Sequence, residues 1–253
     1  MKKIFLGLSV VTFLALSTSM ITFTKANMLD DIVNVTATNS NRKTVVRKLA
    51  TFENIDASSA VSIKLVEGNN NGEVTITADE DVLNYIKTEV KNNTLEIGVK
   101  WDKKIKIKNN GKIEVSIPVK KLRSLKLSGT STLEAGYTIN VENFKADLSG
   151  ATKASLNLMS NTINVDLSGA SKLELSGNVQ NLNLDLSGAS KFSGSALKAS
   201  AVKFDLSGAS SSKVWVVNQL SGSASGASSL AYKNVTGLSK DVSTSGASSV
   251  KAY

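Results

Sequence analysis

Leu167-Ser168-Gly169-Ala170-Ser171-Lys172-Leu173-Glu174-Leu175 is answered further on by Leu186-Ser187-Gly188-Ala189-Ser190-Lys191-Phe192. The shared phrase occurs seven times with small variations. Its glycines fall at Gly129, Gly150, Gly169, Gly188, Gly208, Gly226 and Gly246, in steps of 21, 19, 19, 20, 18 and 20 residues. A near-constant period of this size marks a solenoid, in which each unit buries its apolar face only by stacking on its neighbours. Alternating runs such as Ile163-Asn164-Val165-Asp166-Leu167 and Leu182-Asn183-Leu184-Asp185-Leu186 precede the phrase, and a second alternation, Leu173-Glu174-Leu175, follows it. Alternation with period two is the pattern of a strand with one face buried. The repeat therefore predicts a right-handed parallel β-helix of about seven coils of roughly 20 residues, the hand following the general preference of parallel crossovers.

The phrase reads as a corner. Glycine there supplies a backbone conformation with positive φ, while alanine and serine fit where successive turns crowd. The serines before the glycines (Ser128, Ser149, Ser168, Ser187, Ser207, Ser225 and Ser245) are expected to form a hydroxyl ladder that bonds the next rung or the turn backbone. They are scaffold: a serine nucleophile needs a base beside it, the chain has no histidine, only a Ser-Lys pair is left, and seven equivalent serines single out no nucleophile. With no cysteine either, disulfides, thiolate chemistry and an N-terminal lipid on cysteine are excluded.

Outside the array the chain divides into three further parts. Residues 1–26 read as an export signal, with Lys2 and Lys3 ahead of an apolar run and Thr24-Lys25-Ala26 at the cleavage position. Its removal lowers the formal charge from +9 to +6 and leaves a chain with no stable membrane insertion. Residues 27–50 form a polar leader with one short strand at Val45-Val46. Residues 51–118 form a smaller region of alternating strands, with Val61-Ile63-Leu65, Val74-Ile76, Leu95-Ile97-Val99, Ile105-Ile107 and Ile113-Val115-Ile117 as inward sets, placed to cap the helix. One short helix is expected between Asp79 and Val90, where Val82, Leu83, Ile86 and Val90 approach helical spacing behind Asp79, Glu80 and Asp81. The sole proline, Pro118, closes this region, and 119–253 is the array.

Almost all the positive charge is lysine, without the arginine forks and interleaved aromatics of specific phosphate or base readers, so nucleic acid is not an expected partner. The lysine excess serves solubility, with weak attraction to anionic glycans or lipid headgroups as the other reading. Candidate binding residues lie on the array. Asp147, Asp166, Asp185 and Asp205 each precede the Leu-Ser-Gly phrase and form a carboxylate ladder. Lys153, Lys172 and Lys191 follow six residues later and are expected to form a parallel row across the corner. Stacked carboxylates can hold a hard cation or act as acid and base on a glycosidic bond, but repetition alone supplies such a ladder. No cofactor or metal is expected. Trp215, if outward, is the aromatic best placed to contact a ligand, and Trp101 stands at a strand end. The last coil, with its polar edge from Val242 to Tyr253, offers a surface for homo-oligomers.

Arg47-Lys48-Leu49-Ala50-Thr51-Phe52-Glu53-Asn54-Ile55, then Val61-Ser62-Ile63, Val74-Thr75-Ile76, Leu95-Glu96-Ile97 and the run of Ser-Gly-Ala-Ser corners resemble the bacterial family called putative auto-transporter adhesin, head GIN domain. The resemblance covers about residues 45–253 and implies an exported, β-helical envelope protein of a Gram-negative bacterium, in the periplasm, on the cell surface or secreted. It carries no catalytic residues to transfer. The expectation is a non-enzymatic binding or structural surface module whose partner is a glycan or another envelope protein. The alternative is a carbohydrate-active β-helix enzyme, a polysaccharide lyase or hydrolase, that uses the Asp ladder.

Overall fold

The computed structural model describes residues 41–100 and 112–253. The expected signal at 1–26, residues 27–40 of the leader, Trp101 and the Ile105-Ile107 strand lie outside the described residues. Among those described, seventeen strands and one short helix follow in order: β1 (Arg42–Lys48), β2 (Asn54–Ala57), β3 (Val61–Glu67), β4 (Glu73–Asp79), α1 (Glu80–Leu83), β5 (Ile86–Lys91), β6 (Thr94–Val99), β7 (Ile113–Val119), β8 (Ser124–Leu127), β9 (Thr132–Asn140), β10 (Asn143–Leu148), β11 (Lys153–Leu167), β12 (Lys172–Leu186), β13 (Lys191–Leu206), β14 (Ser211–Ala224), β15 (Ser229–Tyr232), β16 (Ser239–Thr244) and β17 (Ser249–Ala252).

The chain is a β-solenoid of about six turns, because seven corners bound six complete circuits. Successive coils pair in parallel and in register, Leu148 opposite Leu167, Leu167 opposite Leu186 and Leu186 opposite Leu206. The corners stack as the repeat predicts. Their glycines share φ between +66° and +77°, and Ala170, Ala189 and Ala209 each donate an N–H to the glycine carbonyl one rung back at 2.8 Å. A Cβ at Gly188 would lie 2.8 Å from the Gly169 carbonyl oxygen, so this rung of the column leaves no room for a larger residue.

The uneven period is absorbed away from the corners. Register shifts fall between Ser155 and Asn157 of β11 against β9, between Glu174 and Ser176 of β12 against β13, and at two places between β13 and β14. Extra or missing residues bulge within the run that follows each corner, the leading wall. The run that precedes the next corner, the trailing wall, stays in step. Bulges leave the paired strands on either side intact, which is why coils of 18 to 21 residues coexist in one stack.

The region before the array continues the stack. β2 pairs in parallel with β8 on one side and with β6 on the other, and β3 lies likewise between β9 and β7. The coil 54–67 is thus sandwiched between β6 and β7 on one side and β8 and β9 on the other. Ser59 opens the corner column with φ +81°, and Thr130 donates its N–H to the Ser59 carbonyl at 2.8 Å. Beyond this rung, β4 and β1 on one wall and β5 on the other add antiparallel strands that end the parallel stack. The helix is shorter than expected. α1 spans Glu80–Leu83, and Ile86–Lys91 is a strand paired with β6 through the left-handed Asn92-Asn93 turn. Pairing across that turn outweighs the weak helical spacing of Ile86 and Val90.

Inward columns fill the interior. Leu127, Leu148, Leu167, Leu186 and Leu206 are fully covered, each contributing about 1.5–3 kcal/mol by burial. Hydroxyls occupy two columns, not one. The serines before glycine are half-buried except for the exposed Ser245, and Ser225 donates to the Leu206 carbonyl at 3.3 Å. The residue two places after the glycine faces inward in the first six corners: Ser131, Thr152, Ser171, Ser190, Ser210 and Ser228 are all buried. Ser210 and Ser228 donate to Leu186 and Leu206 carbonyls at 3.4 and 3.3 Å. Thr152, Ser171 and Ser190 hydroxyls find no protein partner.

Candidate functional site

Strand alternation sends the residue before each corner leucine outward, and parallel register stacks those residues. Asp147 lies opposite Asp166, Asp166 opposite Asp185 and Asp185 opposite Asp205. Rungs are about 4.8 Å apart, so the carboxylates form one column. Each end is closed by a group of another kind. Lys126 stands opposite Asp147 and pairs with Asp56 at 3.6 Å. Ser223 donates to Asp205 Oδ1 at 3.2 Å. Burial, then the charges of Asp147 and Asp185, hold the Asp166 carboxyl above its ordinary value, with Lys145 pulling the other way.

Two residues earlier on the same face runs a second column, Lys145, Asn164, Asn183 and Lys203. Asn183 Nδ2 donates to Asn164 Oδ1 at 2.8 Å. Together the columns border an open groove of about 550 Å³ along four rungs, with Asp166, Asp185, Asp205 and Ser223 on one side. Sequence reading named only the Asp column. The second was available from the same alternation, since Lys145, Asn164, Asn183 and Lys203 each stand two places before an aspartate.

Lys153, Lys172 and Lys191 do form a stacked, exposed column, at the start of the leading wall. Among the described residues no ion pair joins it to the Asp column. Asp166 senses Lys145 instead, on its own wall. The Ser-Gly-Ala corner separates the two rows. Trp215 stands on the leading wall, half-buried, stacked against Lys198 and away from the groove. No group of three or more acidic residues among those described is arranged to hold a metal ion. No helix among them is long and apolar enough to cross a membrane.

The family model described as "Putative auto-transporter adhesin, head GIN domain" matches residues 51–235. Solved structures with the same fold include a "putative adhesin" from Bacteroides fragilis, 21% identical with TM-score 0.70, aligned over 84% of this chain and 97% of its own. A "putative adhesin" from Parabacteroides merdae is 17% identical, TM-score 0.67, over 85% and 97%. A "putative lipid binding protein" from Parabacteroides distasonis is 16% identical, TM-score 0.62, over 85% and 98%. No curated protein matches the sequence.

Proposed function

The chain belongs to the head GIN domain family, and on that premise we propose that it is an exported, non-enzymatic surface module that binds a glycan along its trailing wall. The observation that carries this reading is the groove itself: two polar columns, one of carboxylates and one of lysines and amides, repeated over four rungs. A sugar presents hydroxyls that both donate and accept. Aspartates accept, lysines donate and the Asn164 and Asn183 amides do both. Each bond contributes about 0.5–1.5 kcal/mol net, so affinity comes from repetition along an extended polymer. The rung spacing, about 4.8 Å, is comparable with the advance per residue of an extended β-linked glycan.

Binding of neutral and acidic oligosaccharides, measured by NMR titration on the parent chain and on Asn164→Ala/Asn183→Ala, tests this. Affinity should rise with oligosaccharide length and fall about tenfold in the variant, the equivalent of about 1.4 kcal/mol. Length-independent affinity, or an unchanged variant, argues against it. An envelope protein as partner is the outcome if no glycan binds but extended peptide segments do. The edges of β16 and β17, each paired with one strand among the described residues, extend the proposal to self-association, which light scattering at micromolar concentration reads directly. One feature favours a hydrolase or lyase as second reading: Asp166, its carboxyl raised between two others in a groove. Release of reducing ends or unsaturated uronates, lost in Asp166→Asn, would establish it.

A further inference from the structure

The leading wall carries a column of a different character. Through the rungs it reads Met159, Asn178, Lys198, Trp215, Lys233 and Tyr253. Lys233 Nζ stands 4.0 Å from the Trp215 ring centroid and Lys198 Nζ 5.8 Å. Lys213, from the adjacent column, caps the Tyr253 ring at 4.0 Å. Stacking on an aromatic face positions an ammonium without neutralising it. None of these lysines enters an ion pair among the described residues. The lysine row of the earlier coils lies on the same wall, opposed there by Glu134 and Glu174 alone among the described acidic residues of its adjoining column.

A second, independent feature shares the column. Of the three large hydrophobic residues exposed among those described, Met159 at 50% and Tyr253 at 48% stand on it. A soluble polyanion would call for the charges alone. Charges interleaved with the exposed Met159 and Tyr253 and the half-buried Trp215 match a boundary that is anionic outside and apolar beneath. We propose that this wall seats the solenoid side-on upon an anionic phospholipid surface, with the lysines at headgroup phosphates and Met159, Trp215 and Tyr253 at interfacial depth. The groove, on the trailing wall, is left facing solution.

Cosedimentation of the chain with phosphatidylcholine vesicles, with and without about one-third phosphatidylglycerol, tests the proposal. The apolar segment near the N terminus is common to all variants, so differences between variants report the wall. Anionic vesicles should bind strongly and release the protein as salt rises. Each lysine near such a surface is worth roughly fivefold in partitioning, so Lys213→Glu/Lys233→Glu should lower it about thirtyfold or more. Lys145→Glu/Lys203→Glu makes the same charge change on the trailing wall and should leave binding within about twofold, since those groups sit away from the surface. Equal losses in the two pairs, or binding indifferent to phosphatidylglycerol, overturn the proposal. So does retention on a soluble uronate polymer without vesicle binding, which would assign the wall to a glycan. The wild-type dependence on lipid charge stands as a test even if a variant fails to fold.

Discussion

Replacing Gly188 by alanine tests the corner column most sharply. Gly188 has φ +66°, where an L side chain costs roughly 1–2 kcal/mol from backbone strain alone. The new Cβ would also meet the Gly169 oxygen at 2.8 Å and its nitrogen at 3.0 Å. Neither atom can retreat freely, because the Gly169 carbonyl accepts the Ala189 N–H at 2.8 Å. Weakening that bond adds about 0.5–1.5 kcal/mol, for a total of about 1.5–3.5 kcal/mol. Two other glycines separate the terms. Gly237, φ +82°, has nothing within 4 Å of a built Cβ, so Gly237→Ala should show the strain alone. Gly136 has neither positive φ nor a neighbour, so Gly136→Ala should be neutral or stabilise by up to about 1 kcal/mol. Hydrogen exchange of the amides flanking each site, with thermal unfolding by circular dichroism, reads all three. If Gly188→Ala costs no more than Gly237→Ala, the rungs do not press on one another as described.

Further outcomes follow from the interior and the Asp column. Thr152→Val and Ser171→Ala remove buried hydroxyls without partners and should be neutral or stabilising by about 1 kcal/mol. Ser248→Ala loses bonds to the Ala224 and Ser245 carbonyls, both 2.8 Å, and should cost about 0.5–1.5 kcal/mol; urea melts distinguish the two cases. Leu186→Ala, at a fully covered position, should cost about 2–5 kcal/mol. The pH dependence of Asp166 runs opposite to that of a salt-bridged carboxylate. Its folded-state pKa lies above the ordinary 3.8, so the folded chain holds this proton more tightly than the unfolded chain does. Ionisation therefore carries a penalty at neutral pH, relieved as pH falls through the folded pKa toward 3.8. Asp166→Asn should raise the melting temperature at pH 7 and lose that advantage in acid; a lower midpoint at pH 7 would count against the stacked column.

The array was legible in the sequence because its corner imposes a requirement few residues meet. Glycine at a left-handed position under a neighbouring backbone cannot drift, so Gly150, Gly169 and Gly188 announce themselves. The coil 54–67 was hidden because Ser59 takes that conformation in glycine's place, leaving Ala57-Ser58-Ser59-Ala60 as a blurred copy of the phrase. The order of the first rungs, with β6 and β7 outside the coil 54–67, is a long-range choice that no local pattern records. Alternation placed the Asp column and would equally have given its partner column of Lys145, Asn164, Asn183 and Lys203. What it could not give was the distance across the corner: the lysine row stands six residues from the aspartates yet makes no ion pair with them. Nor could it say that the outward Trp215 is stacked with lysines.

In-register stacking of successive coils underlies both walls, and paired cysteines test it in a chain that has none of its own. Asp166→Cys/Asp185→Cys places thiols on adjacent rungs, with Cα atoms about 4.8 Å apart, within the span a disulfide accepts. Asp166→Cys/Asp205→Cys places them two rungs apart, about 9.6 Å, beyond that span. Under mild oxidation the first pair should close quantitatively within the monomer while the second stays reduced. Equal closure of the two pairs, or failure of the first, would contradict the stack.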